Sequence, residues 1–241
     1  MAIKDILVHI GGSARHSCAR GAAKMAAQHG AHLVGLHVTA LPEIPPYVEA
    51  QLGAEVMNVQ ARFAADETAK AEALFNDAVN AEGLSSEWRV AEGDPVQVLQ
   101  THGRYADLVI VGQANPDEPG PSGGDDIAGR LALSLGRPVL AMPYVGSCEV
   151  VGKRVMVAWD AGRAAARALG DAMALIKNAD EVTVLSVNPE TGPDEHGEVA
   201  GMDIAQHLAR HGIKANAQHV QAHEMEVGAM RCRARLTLAQ T

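Results

Sequence analysis

The residues in this chain best suited to chemistry cluster at the ends of apolar runs. Gly11-Gly12-Ser13 follows Ile6-Leu7-Val8-His9-Ile10. Glycines at such a point let backbone N–H groups close around an anion at the start of a helix. The same residues make a tight turn with Ser13 as the helix cap, and that is the expected reading. Gly112 follows Leu108-Val109-Ile110-Val111 and opens a polar, glycine- and proline-rich stretch that runs to Gly124. Asp160 closes Val155-Met156-Val157-Ala158-Trp159 and is followed by Ala161-Gly162.

Other constellations fail on ligand count or geometry. His207 and His211 share a helix face, and His219 and His223 follow. Zinc needs three or four converging ligands, and no cysteine pair or His-Glu-x-x-His stands nearby, so no metal is expected. No Gly-x-Ser-x-Gly elbow is present for a hydrolase. Cys18 and Cys148 have no basic neighbours to lower their pKa. Cys232 lies between Arg231 and Arg233. No catalytic residue is therefore expected, and the chain reads as no enzyme. Arg231, Arg233 and Arg235 form a basic cluster without aromatic partners for bases. The formal net charge of −9 and pI of 5.6 also argue against nucleic acid as a partner. Trp159 is expected in a core or an interface.

The elements that position these residues follow from periodicity. Hydrophobic residues make up 47% and aromatics 3%, so the core must be aliphatic and alanine-rich. Apolar runs at 4–10, 33–38, 108–111 and 139–142 suit strands buried on both faces. A third strand is expected at 86–91. Alanine-rich helical stretches cover 14–28 and 126–135, with Gly30 as a stop. Residues 41–53, with Pro42, Pro45 and Pro46, are expected as a loop. A helix follows from about 56 to 81, with Val56, Val59, Phe63, Leu74 and Ala78 on its buried face. Gly93-Asp94-Pro95 is a helix start, with Asp94 as cap and Pro95 in the first turn.

The chain then repeats itself. Lys4 aligns with Lys153, Val8 with Val157, Gly21 with Gly170, Leu36 with Leu185 and Val38 with Val187, all 149 positions apart. Strands are expected at 153–159, 182–187 and 213–220, with helices at 164–177 and 199–211. The domains expected are a complete module at 1–145 and an incomplete one at 150–241. Residues 229–241 do not continue the pattern, as a shifted reading frame or a lost end would produce. No stretch has the length and hydropathy of a membrane span, and no signal peptide precedes the first strand. With few, scattered cysteines, a cytoplasmic location is expected and no membrane partner.

The ordered set of Val155 to Asp160 with Gly162, Gly93-Asp94-Pro95, Ala106-Asp107 running into Val111-Gly112, and Gly136-Arg137-Pro138 before Val139 to Pro143 resembles the universal stress protein family in its tandem form. The resemblance implies an α/β fold: a doubly wound, parallel five-stranded sheet of the adenine nucleotide α-hydrolase-like type, here duplicated with an incomplete second copy. It implies a stress-response role without catalysis, through a protein partner or homodimer. The edge strand Val139 to Met142 is the surface expected to pair.

Relatives that bind ATP carry Gly-x-x-Gly, an intervening stretch, then Gly with Ser or Thr. Here Gly112 is kept, but Asn115-Pro116 and Asp125-Asp126 replace the later elements, with Asp117 and Glu118 adding negative charge and Gly123-Gly124 nearby. Asp160 falls where relatives contact the adenosine moiety, whereas Gly11 holds that place in the first copy. No cofactor is expected on this pattern. ATP is the alternative, in a crevice of Gly11, Gly12, Ser13, Gly112 and Asp160.

Overall fold

The computed structural model describes residues 2–39, 46–115, 117, 126–146, 151–187 and 197–220, with the backbone alone over 46–57 and 197–200. The chain divides into two compact units, one of residues 2–151 and one from residue 152 onward.

The first unit runs β1 (Asp5–His9), α1 (Arg15–His29), β2 (His32–Thr39), α2 (Pro46–Glu82), β3 (Ser86–Glu92), α3 (Pro95–Gly103), β4 (Leu108–Gly112), α4 (Ile127–Ser134) and β5 (Val139–Met142). The strands form one parallel sheet in the order β3-β2-β1-β4-β5. Short apolar strands alternating with helices favour a parallel sheet, because each crossover must carry a helix over a sheet face. α1 packs on α2, and α3 packs on α4. Leu7, Leu36, Val109 and Val111 share a core with Val96 and Leu99 of α3 and Leu131 and Leu135 of α4. Neighbouring strand residues point to opposite faces, so Gly35 and Gly112 look the other way, onto Phe75 of α2 and Ala14 beside α1.

Local signals set the ends of the elements. The Asp94 carboxylate accepts a hydrogen bond from the Gln97 N–H at 2.9 Å, and Pro95 sits in the first turn of α3. Asp107 clamps the start of the sheet: its Oδ2 accepts from the N–H groups of Lys4 (2.8 Å) and Asp5 (3.1 Å). Arg15 at the start of α1 reaches Glu67 of α2 at 2.8 Å.

Three expectations need correction. Residues 46–53 are helical and not loop, because Pro46 suits a first helical position, where its missing N–H costs nothing; residues 41–45 lie outside the described residues. Val59 and Phe63 are 62% and 68% exposed, and the buried residues of α2 are Ala71, Phe75, Ala78 and Val79. Leu74 is half-buried, and the side chain of Val56 lies outside what is described. Ser13 is not a helix cap. The N-cap is Ala14, and no side chain caps α1.

The second unit runs β6 (Arg154–Ala158), α5 (Arg163–Ile176), β7 (Glu181–Val187), α6 (Gly197–Arg210) and β8 (Ala215–Val220). Its described strands form a parallel sheet in the order β6-β7-β8. The sheet repeats the register of β1, β2 and β3. Asp5 pairs with His32, and Arg154 pairs with Glu181, each 149 positions further on. Leu33 pairs with Ser86, and Val182 with Ala215, although the loop and helix between those strands are 20 residues shorter in the second unit. Leu169, Ile176, Val182, Val184, Leu208 and Ile213 form its core, with Trp159 packed against it. Thus the sheet is a partial second copy of the first. Residues 221–241 lie outside the described residues, and no described helix of either unit is long and apolar enough to cross a membrane.

Candidate functional site

In the first sheet the strand order reverses between β1 and β4, and both strands end side by side. Open α/β sheets leave a crevice at that point, beyond the carboxyl ends of the strands. Gly11, Gly12 and Ser13 form one lip and Gly112 the other. The two lips touch: a Cβ on Gly112 would stand 2.7 Å from the Ala14 Cβ. Only a residue without a side chain lets β4 end this close to α1. Gln113 extends the strand pairing, its N–H bonding the Met142 carbonyl at 2.8 Å. Beyond Asn115, only Asp117 of the loop is described before Asp126, so Gly123, Gly124 and Asp125 lie outside the described residues.

The two helices that face the crevice differ. α1 begins without a side-chain cap and without an acidic residue in its first turn. α4 begins with Asp126, whose carboxylate accepts from the Gly129 N–H at 2.9 Å. A helix N-terminus attracts anions through free N–H groups and its dipole. At α4 the protein's own carboxylate already holds that place. In the sequence, Asp125-Asp126 stand only as a replacement for the Gly with Ser or Thr of relatives that bind ATP. The structure gives Asp126 a more specific part, as an internal anion.

A second feature carried no sequence motif. His9, the last residue of β1, is only 8% exposed. Its ring lies against Gly11, where a Cβ would stand 2.8 Å from Cε1 and 2.9 Å from Nε2. Burial, and secondarily the charge of His37, push its pKa down to about 4, so the imidazole is neutral at ordinary pH. His37, at the end of β2, has Nδ1 2.7 Å from the Ile10 carbonyl, and its ring stacks near Trp88. The signal that was available was a polar residue inside an apolar strand, immediately before two glycines.

Asp160 belongs to the second unit, apart from the four glycine and serine positions of the first. Its Oδ1 accepts from the Gly162 N–H at 2.8 Å, an Asx turn that opens α5. Ala161 has φ of 57° and Gly12, its counterpart 149 positions earlier, has 64°. The two turns therefore keep one backbone shape, which alanine adopts only at a cost of about 1 kcal/mol. Trp159 Nε1 and Ser186 Oγ, one strand apart, are buried without hydrogen-bond partners. The rings of His207 and His211 are 4.8 Å apart, with His207 exposed. No group of three or more metal-ligating side chains converges among the described residues. Cys18 is buried in α1, whereas Cys148, Cys232 and His223 lie outside the described residues.

Comparison with known proteins agrees with this geometry. Residues 2–118 match the universal stress protein family. A universal stress protein from Archaeoglobus fulgidus DSM 4304 superposes with a TM-score of 0.69 at 14% identity, over 92% of this chain and 78% of that one. A putative universal stress protein from Pseudomonas aeruginosa UCBPP-PA14 gives 0.56 at 17% identity, over 98% and 80%. At these identities the likeness speaks for the fold alone. No curated protein matches the chain. The matched segment holds β1 to β4 and both lips of the crevice, and this segment of the chain is a universal stress protein family domain.

Proposed function

We propose that this protein is a non-catalytic stress-response factor that works by protein association, and that the crevice of its first unit takes a nucleoside monophosphate in preference to ATP. The observation that carries the nucleotide part is the seat of Asp126. A triphosphate laid along the crevice brings its outer phosphates to the start of α4, where a carboxylate already accepts the Gly129 N–H. A monophosphate has no need of that position. The uncapped start of α1 leaves its first N–H groups for one anionic group.

Titration calorimetry on the full chain tests this with AMP and with ATP plus Mg²⁺. Weak, saturable AMP binding with ATP no tighter is expected. Asp126→Asn, which keeps a cap but removes the charge, is expected to tighten ATP relative to AMP. Wild-type protein that binds ATP at least about tenfold tighter than AMP would overturn the reading.

Association is supported by β5. It lies at the end of the sheet and pairs with β4 alone, so one side of its backbone is unpaired among the described residues. Such an edge is a template for another strand. Light scattering is expected to show a dimer that Ala141→Pro, at a position whose N–H faces away from β4, weakens. A monodisperse monomer at high concentration would sink this part.

A further inference from the structure

The residues at positions 9 and 11 trade volume between the two units. In the first, a large imidazole at His9 stands beside Gly11. In the second, 149 positions on, a small Ala158 stands two residues before Asp160. The pairing registers of the two sheets show that these are equivalent places. The physical reason is steric. Any Cβ at position 11 would meet the His9 ring at 2.8–2.9 Å, closer than real side-chain contacts allow. An acid at 11 would therefore require the His9 ring to move, and in this unit the ring lies where that side chain would start.

That ring is available to a ligand. His9 alternates with Ile10 along β1 and so shares the face of Leu7, which packs toward α3 and α4. At the strand's carboxyl end it reaches the crevice floor. Its Cε1–Nε2 edge lies against Gly11, which has no side chain to cover it. No described residue hydrogen-bonds its nitrogens. They are also absent from the set of fully sealed, unpaired polar atoms, which comprises Trp88 Nε1, Trp159 Nε1 and Ser186 Oγ among the described residues.

We propose that His9 reads the heterocycle of the nucleotide bound in the first crevice, and that it takes amino and oxo bases alike. The inference rests on the nucleotide reading of that crevice. A carboxylate such as Asp160 only accepts, so it favours an amino edge and repels a carbonyl. A neutral imidazole has one donor and one acceptor nitrogen, and which is which depends on the tautomer. In most proteins a partner on the far nitrogen fixes the tautomer. Here none does, so the ligand chooses. An amino edge selects the form with an acceptor toward the crevice, and a carbonyl edge selects the other. The ordinary penalty for an unmatched polar group in a dry pocket is then avoided for both kinds of base. The neutral state that this needs persists at ordinary pH, because burial opposes protonation of the ring.

The test uses the full chain, AMP and IMP, which carries a carbonyl where AMP carries the amino group and has no other exocyclic substituent. Wild-type protein is expected to bind both within about threefold, and the double variant His9→Ala/Gly11→Asp to favour AMP by about tenfold or more. Histidine-detected ¹⁵N spectra of wild-type protein supply a readout independent of any variant's folding. The His9 ring nitrogens should shift toward opposite tautomers with the two nucleotides. Saturable binding that leaves the His9 signals unmoved, or a wild-type preference of tenfold for one base, overturns the role of His9 while leaving the nucleotide reading intact. Failure of both nucleotides to bind at millimolar concentration overturns the two together.

Discussion

Lowering the pH from 7 to 4 is expected to cost the first unit roughly 3 kcal/mol through His9 alone. The folded protein holds this histidine at about 4, against an ordinary value of 6.5, first because the ring is buried and second because His37 lies close. The depressed value means that folding favours the neutral ring. Above 6.5 the ring is neutral in both states, and the contribution is fully present. As the pH falls below 6.5 the unfolded chain takes up the proton and the folded one does not, so stability declines. The loss continues until the pH passes about 4, where the folded ring also protonates, and then levels off.

Urea denaturation of a Trp159→Phe chain, in which Trp88 alone reports on the first unit, measures this profile. His9→Asn should remove most of the slope between pH 6.5 and 4, whatever it does to the stability at pH 7. Equal slopes in the two proteins would show that the buried ring is not the titrating group. The half-buried Glu67 and the exposed Glu87, held below their ordinary range chiefly by hydrogen bonds from Lys70 and Arg89, lie outside the site and are unchanged by the substitution.

The second large effect separates two phenylalanines of one helix. Phe75→Ala is expected to destabilise the first unit by about 3–5 kcal/mol, and Phe63→Ala by less than about 0.5 kcal/mol. Phe75 is 1% exposed, its ring centroid is 5.3 Å from that of Trp88, and its edge fills the space above Gly35. Removing it opens a cavity between α2 and the middle of the sheet. Phe63 is surrounded mostly by water. Thermal or urea unfolding of the two variants decides the matter, and similar losses from both would show that the upper half of α2 is packed.

Helical spacing did not reveal this difference. Phe63 and Phe75 both lie on apolar stripes of a helix of 37 residues, which is about 55 Å long. The longest strand of the sheet has 8 residues and reaches only about 26 Å. One half of α2 must therefore overhang the sheet, and a stripe alone does not say which half. The contact with Gly35 decides it. Glycine at 35 leaves room for a ring from α2, and Phe75 is the residue that the register of sheet and helix brings there.

Much of the architecture was legible because it depends on short-range physics. Blocks of Val, Ile and Leu such as Leu108 to Val111 have no polar face to expose, so they had to be central strands under helices on both sides. Asp94 and Pro95 marked the start of α3 because a side-chain acceptor and a missing N–H are both local solutions to free helix N–H groups. The repeat was legible for a similar reason. One pairing register recurs 149 positions later, and the hydrophobic pattern that sets register is written in the strands themselves.

The candidate site was legible in part. Gly11, Gly12 and Gly112 were found because strand-to-helix turns with glycine announce themselves. The state of each helix start was not. Ser13 looks like a cap and is none, since the chain turns one residue further before α1 begins at Arg15. Asp126 stands where relatives that bind ATP carry Gly with Ser or Thr, and proves to be the cap of α4. The sequence by itself thus determined the strands, most of the helices, the duplication and the place of the crevice. Only the tertiary structure decided that His9 and Gly11 occupy one shared volume, that the buried imidazole stays neutral, and that one phenylalanine of α2 lies inside while the other lies outside. The last two depend on packing between segments far apart in the chain, and the first on how that packing turns the His9 ring; no pattern along a single element encodes either.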